Sequence, residues 1–357
     1  MDETDLGQVE KLTDEEEREY LKRIIEHYNQ FGVEFREYAK PPWKGGYSVI
    51  DGHIRKIVFG EPCPKDYSLL PVLSKLESLS FTDIPNDTIP EPVHELTSLT
   101  IFGCNSQGLR RISDGFGALK SLEKVYMTNN PLESLPSDFG GLESLEELNL
   151  KKCRLKELPE SFGNLKNLKT LDLSQNRLES LPESVGGLEN LRELHLFKNN
   201  LKMLPESFGK LESLEVLQLD GNKIKALPGS FGNLKKLESL SLRSTELSDL
   251  PNSFSELSSL GVVNFHGSRI ESVANIFPGL PMLREFKIGL NNLSELPGAI
   301  GGCTLLESIN LEGNRLTTVP RTLADLPELR FLNLYDNPIE DLPDELKLRI
   351  PDLELII

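Results

Sequence analysis

The sequence lacks an excess of basic residues. Its 39 Lys and Arg against 56 Asp and Glu leave a formal net charge of −17 over 357 residues. Nucleic-acid partners require a basic surface, so this charge argues against them. The first segment, MDETDLGQVEKLTDEEEREY, has neither the basic region nor the apolar run of a secretory signal. No apolar run approaches the roughly 20 residues of a membrane helix, so we expect no membrane partner.

Cysteine is also scarce, with four in the whole chain and no pair placed to form a disulfide framework. This predicts a reducing compartment and a cytoplasmic location. The five histidines have no Cys, Asp or Glu at metal-ligand spacing. A G-x-x-x-x-G-K-[S/T] phosphate-binding loop is absent as well. The sequence therefore predicts no catalytic residues, no metal and no cofactor, and a protein that is not an enzyme.

What the sequence has in abundance is a single repeated unit. Residues 168–190 read LKTLDLSQNRLESLPESVGGLEN, and residues 191–213 repeat the pattern as LRELHLFKNNLKMLPESFGKLES, 23 positions later. A fixed period of this size predicts a solenoid, in which each unit packs on its neighbours. Repeats begin, without insertion, at Leu76, Leu99, Leu122, Leu145, Leu168, Leu191, Leu214, Leu237, Leu260, Leu283, Leu306 and Leu329.

The pattern L-x-x-L-x-L-x-x-N-x-L resembles that of the leucine-rich repeat family, over roughly four-fifths of the chain. Its second half, L-P-x-x-F-G-x-L, is similar to the intracellular 23-residue type, which includes Ras-pathway scaffolds and plant Ras-group-related repeat proteins. The resemblance implies an α/β solenoid that forms a curved right-handed superhelix. Parallel strands would line its concave face, and extended or 3₁₀ returns its convex face.

Each position of the repeat has a predicted physical task. The alternation L-x-x-L-x-L indicates a short strand with leucines inward. The Asn should hydrogen-bond backbone groups of the turn and of the next coil. Pro after the fourth Leu should exclude a long helix from the return. The Phe positions should stack into a continuous apolar spine, and the following glycines, such as Gly117 and Gly140, should adopt a positive φ.

The chain outside the repeats suggests three regions. Residues 1–53 are predicted to form an N-terminal helical cap, with a helix from Thr13 to about Phe31 that begins in a Thr13–Glu16 capping box. The alternative is a partner-binding helix. Residues 54–345 should form about 13 coils, the first one degenerate. Residues 346–357 should form a closing turn and strand.

The outward strand positions are the candidate binding surface, because the inward positions are needed for packing. Aromatic side chains and Arg are enriched at interface hot spots. The alternative is that these are scattered exposed side chains of no special role. The residues we single out on the predicted concave face are Tyr126, Lys151, His195, Phe197, Arg243, His266, Phe331 and Tyr335.

We therefore predict a scaffold that binds another protein. The family resemblance suggests a small GTPase or a signalling enzyme as that partner. Two other hypotheses remain open. The chain could be a substrate-recruiting arm of a multi-subunit enzyme, or a self-associating structural protein.

Overall fold

The computed structural model describes residues 9, 11–30, 36–37, 46–61, 63–64, 66–82, 84, 87–105, 108–349 and 353–357. It divides into two compact units, Met1–Asn176 and Arg177–Ile357. The predicted helix end at Phe31 lies outside the described residues. No described helix is both long and apolar enough to cross a membrane.

The first unit begins with helix α1 (Glu15–Asn29). Leu21, Ile24, Ile25 and Tyr28 form its buried face. The predicted capping box is wrong, because Asp14 is the N-cap and its carboxylate accepts from the backbone N–H of Glu16 and Glu17. The Asp14 carboxylate reaches these donors because it lies directly before the first turn of the helix. The Thr13 hydroxyl donates instead to the carbonyl of Gly52, at 3.1 Å.

Strands of the first unit pair in chain order. The segment predicted as a helical cap also contributes β1 and β2, which periodicity did not predict. Strands β1 and β2 are parallel, β2 and β3 are antiparallel with an irregularity between Ser48 and Val49, and pairing from β3 to β8 is parallel. The strands are β1 (Arg36–Glu37), β2 (Gly46–Ile50), β3 (His53–Phe59), β4 (Ser78–Phe81), β5 (Ile101–Cys104), β6 (Lys124–Tyr126), β7 (Glu147–Asn149) and β8 (Thr170–Asp172). Its 3₁₀ helices are Leu70–Val72, Glu91–Glu95, Phe116–Ala118, Phe139–Gly141 and Glu160–Asn164.

The second unit is a stack of parallel strands, in which 3₁₀ returns join successive strands up to the last pair, and a short helix joins that pair. Its strands are β9 (Glu193–His195), β10 (Val216–Gln218), β11 (Ser239–Ser241), β12 (Val262–Asn264), β13 (Glu285–Lys287), β14 (Ser308–Asn310), β15 (Phe331–Asn333) and β16 (Glu354–Ile356). Its 3₁₀ helices are Glu183–Gly187, Glu206–Lys210, Gly229–Asn233, Asn252–Glu256, Phe277–Gly279, Gly298–Gly302 and Arg321–Asp325. A short helix, α2 (Asp344–Lys347), precedes β16.

The predicted inward and outward positions are confirmed. Leu148 pairs with Leu171, and Leu194 with Leu217, each 23 residues apart. Leu171 and Leu194 are each 1% exposed. Returns are short 3₁₀ helices, most of them preceded by a proline such as Pro205, whose φ of −69° suits this extended approach. The fold is therefore the predicted α/β repeat architecture.

The asparagines of the repeat are buried and bond to the backbone, but mainly toward the preceding coil rather than the next. Asn222 accepts from the N–H of Leu201 and donates to the carbonyls of Leu196 and Leu219. Asn176 and Asn314 repeat this arrangement in their own coils. Cys153 takes the same place, and its thiol donates to the carbonyl of Met127 at 3.2 Å.

The predicted positive φ at the glycines after Phe is wrong. These glycines lie in 3₁₀ helices, and the next coil explains them, because a Cβ on Gly140 would stand 1.8 Å from the carbonyl oxygen of Ser161. Positive φ occurs instead just before the Asn position. Those residues are Asn129, Lys152 and Gln175 in the first unit, and Lys198, Gly221, Ser244, Gly267, Leu290, Gly313 and Asp336 in the second.

The phenylalanines of successive returns stack, although not without interruption. Phe116, Phe139 and Phe162 stack in the first unit with centroids 6.0 and 6.2 Å apart. In the second unit Phe231 stacks on Phe208 and on Phe254. Beyond that point Phe254 meets Phe265, which directly follows β12, and Phe277 meets Phe286 of β13, so the predicted continuous spine changes partners there.

Candidate functional site

The strand face of the second unit is a set of outward side chains that alternate with the buried leucines. We define it as three rows of outward residues on β9 to β15 and just after them. The first row is Glu193, Val216, Ser239, Val262, Glu285, Ser308 and Phe331. The middle row is His195, Gln218, Ser241, Asn264, Lys287, Asn310 and Asn333, and the third row is Phe197, Asp220, Arg243, His266, Gly289, Glu312 and Tyr335.

His195 lies near the start of this face, on β9, and has partners on both sides. Its Nδ1 is 3.0 Å from Oε1 of Gln218 on the neighbouring strand. Its Nε2 is 3.7 Å from a carboxylate oxygen of Glu193 in its own strand. These contacts hold the ring in the middle row, so His195 is a positioned polar group.

Arg243 is exposed in the third row, where Asp220 of the preceding coil supports its backbone. One carboxylate oxygen of Asp220 accepts from the N–H of Arg243 and from the hydroxyl of Ser241, both at 2.6 Å. Among the described residues the Arg243 guanidinium makes no ion pair or hydrogen bond. A backbone held by Asp220 thus carries a cation that has no described ionic partner.

His266 and Glu312 meet although they belong to coils that are not adjacent. His266 Nδ1 and Glu312 Oε1 are 3.7 Å apart, and the intervening coil offers only Gly289 in this row. A Cβ on Gly289 would stand 2.8 Å from Glu312 Cγ and 3.0 Å from His266 Nδ1. The missing side chain is therefore what lets these two groups approach. The other Glu312 oxygen accepts from Asn333 Nδ2 at 2.7 Å.

The aromatic residues that the sequence singled out also lie on this face. Tyr335 follows β15 and is 59% exposed, whereas Phe331, on the same face of β15, is half-buried. Phe197 is half-buried after β9. Large rings facing solvent on a repeat protein are candidates for partner contact.

The first unit holds the two remaining candidates. Burial, together with the hydrogen bond and charge of Glu147, raises the pKa of Tyr126 to about 12. Lys151 is half-buried, and its backbone N–H donates to Oδ1 of Asn149 at 3.1 Å. We treat the strand faces of the two units separately.

Sequence reasoning did not single out Gly289, Glu312 and Asn333 among the outward positions. A glycine at an outward strand position was a detectable signal, since glycine in a strand often marks close approach of neighbouring groups. The pairing across two coils was not detectable, because it depends on side-chain direction. Within the described residues, no three or more His, Cys, Asp or Glu side chains are grouped to hold a metal ion.

Comparison with known families identifies the repeat. Residues 136–222 and 185–292 match the family described as leucine-rich repeat region, and residues 291–339 and 121–142 match two further leucine-rich repeat descriptions. The chain belongs to the leucine-rich repeat proteins. A search of curated proteins finds no match.

Many solved structures resemble this leucine-rich repeat protein. A leucine-rich repeat protein of Leptospira interrogans is 26% identical, with a TM-score of 0.60, and the match covers 85% of this chain and 89% of that one. The ectodomain of the membrane receptor kinase GASSHO1/SCHENGEN3 from Arabidopsis thaliana, solved with CASPARIAN STRIP INTEGRITY FACTOR 2, is 32% identical with a TM-score of 0.65. That match covers 80% of this chain but 36% of the receptor chain.

A third similar structure is TLR13 in complex with ssRNA13, which is 27% identical with a TM-score of 0.64. The match covers 81% of this chain and 46% of that one. The second structure was thus solved with CASPARIAN STRIP INTEGRITY FACTOR 2 and the third with ssRNA13. The ligand of this chain has to be argued from its own surface residues.

Proposed function

We propose that this leucine-rich repeat protein is a non-enzymatic binding module that holds a partner protein on the strand face of its second unit. The observation that carries this proposal is Tyr335, a large ring that is 59% exposed at an outward position. Around it lie polar groups already held in place, including Asn333, whose Oδ1 accepts from the Tyr335 N–H at 3.0 Å. A rigid surface with aromatic anchors loses little freedom on binding.

The finer assignment depends on the sequence resemblance alone. The L-P-x-x-F-G-x-L returns are similar to those of intracellular Ras-pathway scaffolds, so we propose a small GTPase or a signalling enzyme as the partner class and the cytoplasm as the location. Cys104, Cys153 and Cys303 are buried thiols that form no disulfide, which is compatible with a reducing compartment.

Replacement of the exposed ring tests the proposal. Tyr335→Glu should leave the circular dichroism spectrum unchanged, because the side chain does not contribute to the core, but should abolish capture of the partner in an affinity experiment read by mass spectrometry. Met203→Glu is the matched control, since Met203 is 65% exposed and lies outside the strand face. Proteins retained by the wild type and by Met203→Glu but lost with Tyr335→Glu are the expected result.

Equal capture by all three proteins would refute binding at the strand face. Purified Ras-type GTPases, loaded with GDP or with a GTP analogue, then test the finer assignment. No binding in either nucleotide state would leave the strand face as a binding surface and remove this partner class.

A further inference from the structure

One part of the strand face presents hydrogen-bond donors without matching acceptors. It consists of Asn264, Lys287 and Asn310, which lie side by side in the middle row. Asn264 pairs in register with Lys287, and Lys287 with Asn310. Neighbouring strands lie about 4.8 Å apart, so three donor-bearing side chains follow one another at that spacing. We call these three residues the donor row.

The two asparagine amides of this row have a fixed orientation. Asn264 Oδ1 accepts from the N–H of His266 at 3.1 Å, and Asn310 Oδ1 accepts from the N–H of Glu312 at 3.0 Å. A backbone N–H can only donate, so the oxygen must face it, and the amide cannot be turned around without losing the bond. Each Nδ2 is therefore presented to the surroundings as a donor.

Elsewhere on the same face, such donors are satisfied by the third row of the preceding coil. Ser241 donates to Asp220, and Asn333 Nδ2 donates to Glu312 Oε2. These pairs are 21 residues apart. For Asn264 the corresponding residue is Arg243, a cation, and for Asn310 it is Gly289, which has no side chain.

The amide donors consequently have no acceptor within the described chain. No hydrogen bond is found for Nδ2 of Asn264 or of Asn310 among the described residues. Lys287 between them is bound to Glu285 of its own strand, with Nζ and Oε2 2.5 Å apart. Both side chains of that pair are about two-fifths exposed, with 40% and 41% of their surface accessible, so the bond exchanges readily with an external carboxylate.

We propose that the donor row, with Arg243 beside it, binds a carboxylate of an acidic segment in the partner protein. This inference rests on the proposed function. Lys287 and either neighbouring amide belong to adjacent strands about 4.8 Å apart, so they can reach the two oxygens of one carboxylate once Lys287 exchanges Glu285 for the incoming group. Charge-assisted hydrogen bonds of this kind are stronger than neutral ones. Arg243 brings a positive charge to this site, although the net charge of the chain as a whole is −17.

A carboxylate fits this surface better than a nucleic-acid backbone does. A strand of phosphates needs a succession of cations, because its affinity comes from displacing many counterions. On this part of the face, Lys287 is already paired, and Arg243 is the cation without a described ionic partner. One cation without a described ionic partner, together with directed neutral donors, suits a single carboxylate group.

The experiment uses the full chain and two labelled peptides, Ala-Glu-Ala-Glu-Ala-Glu-Ala and the same peptide with Gln in place of Glu. Fluorescence anisotropy is measured in about 0.15 M salt, where the chain's net charge is screened beyond about 8 Å. Protein concentrations extend to about 1 mM, which detects weak binding. We expect the acidic peptide to bind about tenfold or more tightly than the Gln peptide, which a charged hydrogen bond supports.

Isosteric variants test the donors without disturbing the turn. Asn310→Asp and Asn264→Asp keep the oxygen that accepts from the backbone but replace the donor by a negatively charged oxygen. Each should weaken binding of the acidic peptide about tenfold or more. The matched control is Asn149→Asp in the first unit, which has the same turn, with Oδ1 3.1 Å from the Lys151 nitrogen, and changes the net charge equally. It should bind as the wild type does.

Three results would overturn the donor row as a carboxylate site. They are equal affinity for both peptides, equal weakening by Asn149→Asp and Asn310→Asp, or no binding of the acidic peptide. If both peptides bind equally and Tyr335→Glu abolishes both interactions, the strand face remains a protein-binding surface and only its carboxylate chemistry is wrong. The proposed function itself is refuted if the wild type, Tyr335→Glu and Met203→Glu capture the same proteins in the affinity experiment.

Discussion

Asn222 offers a direct measure of how much the buried asparagines stabilise the coils. The variant Asn222→Ala removes one acceptor and two donors. The Leu201 N–H, bound to Oδ1 at 3.0 Å, loses its acceptor, and the Leu219 carbonyl loses the 2.8 Å donation from Nδ2. The Leu196 carbonyl is less affected, because it still accepts from Asn199 at 3.0 Å.

The expected cost follows from these two orphaned groups. A buried polar group left without a partner costs about 1–3 kcal/mol, so two of them give about 2–6 kcal/mol of lost stability. Asn222 itself is 3% exposed, so water does not readily replace the amide. A substitution on an exposed surface without such contacts costs less than about 0.5 kcal/mol.

Two measurements check this prediction. Urea unfolding followed by circular dichroism gives the free energy of unfolding, and hydrogen exchange of the Leu201 amide reports the local effect, since repeat proteins can unfold in parts. The control is Asn200→Ala, directly before Leu201 in the turn of the preceding coil, where the side chain is only half-buried and makes no described hydrogen bond. If Asn222→Ala unfolds like the control and Leu201 stays protected, the asparagines do not stabilise the stack as we argue.

Three further predictions concern the returns, the first unit and the thiols. Gly232→Ala places a Cβ 2.1 Å from the Ser253 carbonyl oxygen and should destabilise the chain by about 1–3 kcal/mol or more. Gly229→Ala, in the same 3₁₀ helix, places a Cβ with nothing within 4 Å and should not destabilise it. Equal urea midpoints for the two variants would contradict this prediction. The difference between the absorbance titrations of the wild type and of Tyr126→Phe reports the ionisation of Tyr126. Its midpoint should lie near pH 12, because burial and Glu147 raise the pKa of Tyr126 to about 12, and it should shift downward in Glu147→Gln. Since the folded chain then holds this proton more tightly, its contribution to stability should fall as the pH rises from about 10 to about 12; a midpoint near 10 would refute it. Burial raises the pKa of Cys153 and of Cys303 to about 11, so both thiols should react with a thiol reagent at pH 8 only as fast as the chain unfolds, and rapid labelling of the native chain would be the contrary result.

The repeat length alone determined the fold and the side on which each residue lies. A strand alternates its side chains, and a constant spacing of 23 keeps leucines such as Leu171 and Leu194 inward in every coil. The position of Tyr335 and Arg243 on the outward face follows from the same alternation. These are consequences of local geometry, which the order of residues specifies completely.

Contacts between coils were decided only by the tertiary structure. The glycines after Phe looked like turn residues, but Gly140 is required because the Ser161 carbonyl of the next coil occupies the space of a side chain. His266 and Glu312 are 46 positions apart and meet only over Gly289. The amides of Asn264 and Asn310 gain their direction from neighbouring backbone donors. Periodicity fixes the face on which a residue lies. The partners of a side chain and its distances to them depend on how far it reaches toward another coil, which is a property of packing in three dimensions.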